Sequence, residues 1–154
     1  GLFQISNEPG FLTPTLYNYV GRPDKTAEVV RKTLKERYNT TKEGIPGNDD
    51  SGSMSSWYVF HALGFYPNTG QDLYLISSPT FEEAVIHLEN GRDLSIKAKK
   101  ASDKNIYVQS VKLNGEPLDA CSFKHTDIAN GGTLEFVMGS KPSKWGTVGV
   151  ENQL

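Results

Sequence analysis

With 154 residues, 16 Lys and Arg against 18 Asp and Glu, a formal charge of -2 and 36% hydrophobic content, the chain has the make-up of one folded globular unit. That balance excludes a polybasic nucleic-acid surface and a disordered polyelectrolyte, and no stretch approaches the roughly 20 apolar residues of a membrane helix. The single cysteine, Cys121, excludes an intrachain disulfide and a cysteine-built zinc site, and reads as a small semi-buried residue. Because the first residue is Gly1 and no leader pattern follows, the sequence reads as a processed or excised piece.

In chain order, a helical pattern starts at Thr13-Pro14, carries Leu16, Tyr17 and Val20 on one face and stops at Gly21. A second helix is expected from Pro23 or Asp24 to about Tyr38. Its Ala27, Val30, Leu34 and Tyr38 lie at helical spacing, while Lys25, Glu28, Arg31, Lys32 and Lys35 read as a solvated face. The short link predicts an antiparallel helical hairpin. A third helix, roughly Ser53 to Leu63 with Gly64 as its stop, is apolar nearly all round and reads as buried.

Beyond Pro67 the period drops toward two. Strands are expected over Asp72–Ile76, Phe81–Leu88, a segment alternating at Leu94, Ile96 and Ala98, Ile106–Leu113, and a last strand opening at Gly131-Gly132 with Leu134, Phe136 and Met138 in alternation. Asn90-Gly91 and Asn114-Gly115 are hairpin signals, and His125–Ile128 reads as a helical turn. Helices first and antiparallel strands after give an α+β class, with residues 1–68 helical, 69–154 a β region and the boundary near Pro67 to Asp72. Three helices are few for an independent domain, so the first part reads as incomplete.

The stretch Gly44–Tyr66 concentrates chemistry. Asn48, Asp49 and Asp50 sit among glycines and serines at the start of the third helix, and Asn7-Glu8-Pro9 supplies a second amide-acid pair. Paired carboxylates serve glycoside hydrolysis, and carboxylate and amide oxygens also suit calcium; capping of a helix N-terminus is the plain structural alternative. Adjacent residues project differently, so one of Asp49 and Asp50 can cap while the other faces a site. Phe3, Phe11, Trp57, Tyr58, Phe65 and Tyr66 read either as sugar-stacking surfaces or as core. His61, His87 and His125 share no metal-ligand spacing, and the glycine-rich loop lacks the lysine of a phosphate-binding loop.

The segments ISNEPGFLTPTLYNYVG, GIPGNDDSGSMSSWYVFHALGFYP, SSPTF, VQSVKLNG, HTDI and NGGTLEFVMGSKP, in this order, resemble glycoside hydrolase family 92, the calcium-dependent α-mannosidases. The resemblance covers nearly the whole chain. It implies an inverting exo-acting hydrolase of α-mannosides, often α-1,2-linked, with a role in N-glycan degradation. It also implies calcium as cofactor, a mannose-containing glycan as partner, and a secreted, periplasmic or cell-surface setting.

The fold it implies is an incomplete (α/α)6 barrel, represented here by its last helices, followed by antiparallel β-sandwich-like strands. The chain would then be a C-terminal part whose remaining partner is the rest of the enzyme, inactive or nearly so alone. Carried over by motif, the general base falls at Asp50, with Asp49 or Asn48 in support; Asn7 and Glu8 fall in the calcium and substrate region. The general acid is a glutamate expected upstream of Gly1. Many members follow the Asn-Glu-Pro motif with Ser-His where this chain has Gly10-Phe11, so this loop and the preceding Phe3 and Gln4 are candidate determinants of linkage preference. A non-catalytic carbohydrate-binding or structural interaction module is the alternative reading.

Overall fold

The computed structural model describes residues 3–150. Its helical part begins with a 3-10 turn at Glu8–Gly10 and a 3-10 helix at Thr13–Val20, followed by α1 (Pro23–Arg37) and α2 (Ser53–Leu63). The strands are β1 (Phe65–Pro67), β2 (Tyr74–Ile76), β3 (Glu83–His87), β4 (Asp93–Lys99), β5 (Tyr107–Leu113), β6 (Glu116–Pro117), β7 (Ser122–Phe123) and β8 (Gly132–Gly139).

The helix bounds follow from local chemistry. Pro23 opens α1, where its missing N–H costs nothing, and α2 ends where Gly64 adopts φ 104° and donates its N–H to the Phe60 and His61 carbonyls. Thr13–Val20 is helical but wound as 3-10 rather than α. Pro14 near its start and Gly21 at φ 66° bracket a segment too short to gain much from α propagation.

β1, β2 and β7 form one small antiparallel sheet, and the other five strands form a second sheet in the order β3-β4-β8-β5-β6. Both expected hairpins, β3-β4 and β5-β6, are present and antiparallel. One pairing departs from the all-antiparallel expectation: β8 inserts between β4 and β5 and runs parallel to β4. The long connection from β6 through β7 and the 3-10 turn His125–Asp127 supplies the chain length that such a parallel return requires. The strand β1 was not anticipated, because three residues ending in proline carry no period-two signal.

Alternation places Leu94, Ile96 and Ala98 of β4 and Leu134, Phe136 and Met138 of β8 in one core. In β5 the buried residues Val108 and Val111 are three apart. They reach the same face because the register slips between Val108 and Ser110, leaving Gln109 as the extra residue of a bulge. Phe65, Ile76 and Phe123 of the small sheet join this core. A second cluster of Ile5, Phe11, Val30, Leu34, Met54, Trp57 and Tyr66 holds the helical part together.

Buried polar side chains join the parts at Asn18 and Arg31. Asn18 is fully buried; its Nδ2 donates to the carbonyls of Ile76 (2.7 Å) and Cys121 (3.0 Å), and its Oδ1 accepts from Thr26 Oγ1 at 2.7 Å. Arg31, expected on the solvated face of α1, is buried instead, with Nη1 on the Pro79 carbonyl at 2.7 Å and Nη2 on the Ser102 carbonyl at 2.9 Å. Burial pulls its guanidinium below the ordinary arginine value, against the opposing pull of Asp103. The neighbouring charges of α1 are at the surface or partly so.

The third helix is not buried all round. Met54, Trp57, His61 and Ala62 face the interior, whereas Val59 is 53% exposed. Cys121, expected to be semi-buried, is wholly buried, and burial pushes its thiol up to about 12.

Candidate functional site

The loop carrying Asn7 and Glu8 and the loop carrying Asn48, Asp49 and Asp50 lie side by side. The Asn48 N–H donates to the Ser6 carbonyl at 3.3 Å, and a side chain at Gly47, which has φ 66°, would overlap that same carbonyl. Glu8 Oε1 accepts from Ser53 Oγ at 2.9 Å, tying the first loop to the opening residue of α2. Trp57 Nε1 donates to the Phe11 carbonyl at 3.1 Å, anchoring the far end of the same loop. Sequence positions some forty apart thus share one surface.

Within this surface the carboxylates have different employment. Asp49 accepts from the Ser55 N–H through Oδ1 at 2.9 Å and from the Ser55 hydroxyl through Oδ2 at 2.8 Å. It caps α2 from several residues upstream, which works because Ser51 (φ 53°) and Gly52 (φ 77°) are both left-handed and fold the chain back over the helix start. The Ser55 N–H first, and its hydroxyl second, hold the Asp49 carboxyl below the ordinary aspartate value. Burial, and then the charge of Asp49, hold the Tyr38 phenol well above its usual value. The Asp50 carboxylate is exposed and makes no hydrogen bond or ion pair among the described residues, only the backbone carbonyl accepting, from the Ser53 N–H.

The left-handed Ser51 is a non-glycine residue in a conformation that disfavours side chains, and it sits directly after Asp50. Such backbone strain persists only where its surroundings hold it, here the Asp49–Ser55 clamp.

Asn7 is extended at φ -166°, and its Oδ1 accepts from the Glu8 N–H at 2.9 Å, capping the turn Glu8–Gly10. Both residues are exposed, and one Glu8 oxygen has no partner among the described residues. Phe3 and Gln4 lie elsewhere: they line a groove with Gly10, Thr13, Tyr17 and Val29, which none of Asn48, Asp49 and Asp50 borders. The aromatic candidates divide too. Phe11, Trp57, Phe65 and Tyr66 are core residues, while Phe3 and Tyr58 are only partly buried.

His61 is fully buried between Trp57 and Tyr66, its Nδ1 against Ser77 Oγ at 3.1 Å, and burial lowers it to about 3, so the ring is neutral. Its Nε2 has no hydrogen-bond partner among the described residues. His87 pairs with Asp93 at 2.7 Å and His125 lies against the Tyr74 hydroxyl at 3.0 Å.

Ser53 and Ser55, the residues that fix Glu8 and Asp49, were not singled out from sequence, although the density of serines at the start of α2 was the available signal. No group of three His, Cys, Asp or Glu side chains able to hold a metal occurs among the described residues. The amide oxygen of Asn7 and the carboxylate of Glu8 have the right chemistry for calcium. They fall short of the 6–8 oxygens that ion takes, so this chain fits calcium as a contributor of donors, not as a complete site.

Comparison with known proteins places this surface in context. The sequence profile of the glycosyl hydrolase family 92 catalytic domain matches residues 1–140. An uncharacterized secreted glycosidase of Arthroderma benhamiae is 40% identical over 149 residues, covering 95% of this chain and 19% of that protein. Among solved structures, a family 92 α-mannosidase from Bacteroides thetaiotaomicron in complex with mannoimidazole superposes with a TM-score of 0.89 at 35% identity, over 92% of this chain and 19% of its own. A family 92 inverting mannosidase from the same organism gives a TM-score of 0.87 at 34% identity, over 96% of this chain and 20% of its own. The chain therefore spans about a fifth of the length of these relatives. On the match to most of its residues, it belongs to glycosyl hydrolase family 92, as a part of that family's catalytic domain.

Proposed function

We propose that this chain supplies the base side of the active site of an inverting, calcium-dependent exo-α-mannosidase, whose remaining catalytic machinery lies outside these residues. The observation that carries the proposal is the division of labour between the adjacent aspartates: Asp49 spends both oxygens on Ser55, while Asp50 is exposed and uncommitted beside it. Support comes from the relatives, one of which is an inverting mannosidase and another of which was solved with mannoimidazole.

In this reading Asp50 accepts a proton from a water molecule as that oxygen bonds to the anomeric carbon, and the glycosidic bond breaks. A glutamic acid outside the chain gives its proton to the leaving oxygen. Asp49 does not touch the water; it fixes the backbone that aims Asp50. Asn7 and Glu8 contribute oxygen donors to calcium, with Ser53 orienting Glu8. Bound there, calcium would supply a fixed positive charge able to attract sugar hydroxyl oxygens. Asn48 is proposed to contact the sugar at Asp50, and Phe3 and Gln4, in their separate groove, a sugar unit further away, with α-1,2-linked mannose as the expected substrate; the described residues up to Gly64 are proposed to belong to the helical barrel and those from Phe65, which pairs with β2, to the β region. Secretion is proposed from the name of the fungal relative.

The test uses the longer enzyme that contains these residues. Asp50→Asn is expected to lower kcat on an α-mannoside by about 10²–10⁴-fold, the usual contribution of a general base, with the thermal midpoint unchanged. Wild-type turnover by that variant would sink the proposal and leave a sugar-binding module as the better reading. NMR of the first-formed product anomer tests inversion, and chelation followed by calcium readdition tests the metal.

A further inference from the structure

A groove of about 480 Å³ runs between the C-terminal end of α1 and the exposed side of α2, walled by Leu34, Tyr38, Ile45, Tyr58 and Val59 and completed by Ser55. Two of its apolar residues are left open, Val59 at 53% and Ile45 at 45% exposure, while Leu34 is buried and the Tyr38 ring stacks on Trp57 and meets Tyr58 at 5.1 Å between centroids. An apolar groove beside a carboxylate loop invites a sugar, but its polar equipment argues otherwise. No charged side chain lines it, the Tyr38 hydroxyl donates to the Met54 carbonyl, Ser55 Oγ donates to Asp49, and Asn39 Oδ1 accepts from Thr41, which leaves the Thr40 and Tyr58 hydroxyls and the Asn39 amide hydrogens as its few uncommitted polar groups. A saccharide seat needs convergent polar groups that are free to bind hydroxyls, whereas this one offers chiefly hydrocarbon.

We infer that in the longer protein this groove is filled by apolar side chains from the part of the catalytic domain outside this chain, and that the contact braces the Asp49–Asp50 loop. The inference rests on the reading that these residues are one piece of a family 92 enzyme, whose relatives carry some five times this length. That missing length is the occupant. The bracing follows from two wall residues. Ile45 belongs to the loop itself, a few residues before Asp50, and Ser55 holds both oxygens of Asp49. A body seated against both would hold the loop on either side of Asp50 and keep the strained Ser51 turn in place.

The experiment is thiol footprinting of the longer protein carrying Val59→Cys or, separately, Ile45→Cys. Maleimide labelling is followed at each site by peptide mass spectrometry, which counts Cys121 and any other thiol apart. Protection of both positions by at least 100-fold relative to the same protein in denaturant, independent of mannoside and of protein concentration, is the expected result. Faster labelling overturns the inference, as does protection that appears only with added mannoside, which assigns the groove to substrate, or only at high protein concentration, which assigns it to a second copy. The two variants change different elements, so misfolding of one leaves the other to decide. Hydrolysis of an α-mannoside by the unaltered enzyme is measured separately; failure there removes the mannosidase reading, while the footprint still reports whether the groove is covered.

Discussion

The two parts of this molecule treat their apolar residues differently. In the five-stranded sheet, alternation sends Leu94, Ile96, Leu134, Phe136 and Met138 inward with at most 2% exposure, and the two sheets close over one core. In the helical part the buried cluster is smaller, and Leu16, Tyr17, Tyr19, Val20, Ile45 and Val59 are left in the open. The sheet part has satisfied its inward-facing pattern, with Phe81, Val85, Val137 and Val148 left on its outer surface. The helical part, which carries the acidic loops, has not, and its function is expected to depend on what covers it.

That contrast can be broken at several points. Trp57→Ala, which empties a fully buried site behind the acidic loops, is expected to cost about 3–5 kcal/mol in the longer protein and to depress turnover as well. Leu134→Ala should cost a comparable ~2–5 kcal/mol yet leave kcat per folded molecule unchanged; a fall in kcat would mean that the sheet is not a passive partner. Arg31→Met strands the Pro79 and Ser102 carbonyls and is expected to lose about 1–3 kcal/mol by denaturant titration.

His61 gives a pH signature. Its folded-state value, lowered to about 3, lies below the unfolded value of 6.5, so between these pH values the unfolded chain binds a proton that the folded one refuses. Stability is therefore fully present above pH 6.5 and falls with decreasing pH by up to about 1.4 kcal/mol per unit. His61→Leu should flatten that slope between pH 6.5 and 5, and an unchanged slope would assign it to other groups. The smallest effect is expected at Val85, 52% exposed on β3, where replacement by Thr should stay within about 0.5 kcal/mol; a larger shift would show that the sheet, too, has a covering partner.

How much of this was legible in the sequence follows from the range of the interactions involved. The bounds of α2, the stop at Gly64, both hairpins and the inward face of β8 rest on contacts within a few residues and were read correctly. The insertion of β8 beside β4 was not, because strand order is decided by partners distant in sequence. Arg31 was misassigned for the same reason: its acceptors are 48 and 71 residues away. At the candidate site the two acidic motifs were visible, and so was the possibility that one aspartate caps. Which aspartate does so depends on the left-handed turn at Ser51 and Gly52, and nothing in a serine's identity announces that conformation. The exposure of Val59 was hidden by an apolar composition that reads as burial whether or not the covering surface is part of the chain.

Asn18 sets a limit on how the protein can be dissected. Its two amide hydrogens are spent across the seam on the Ile76 and Cys121 carbonyls, while its oxygen accepts from Thr26 on its own side. Cutting after the helices would strip away both carbonyl acceptors and open to water the seam that buries Asn18. The helical segment expressed without its sheets should therefore misfold or aggregate, and the tidy change in sequence character near Pro67 is a poor place to truncate.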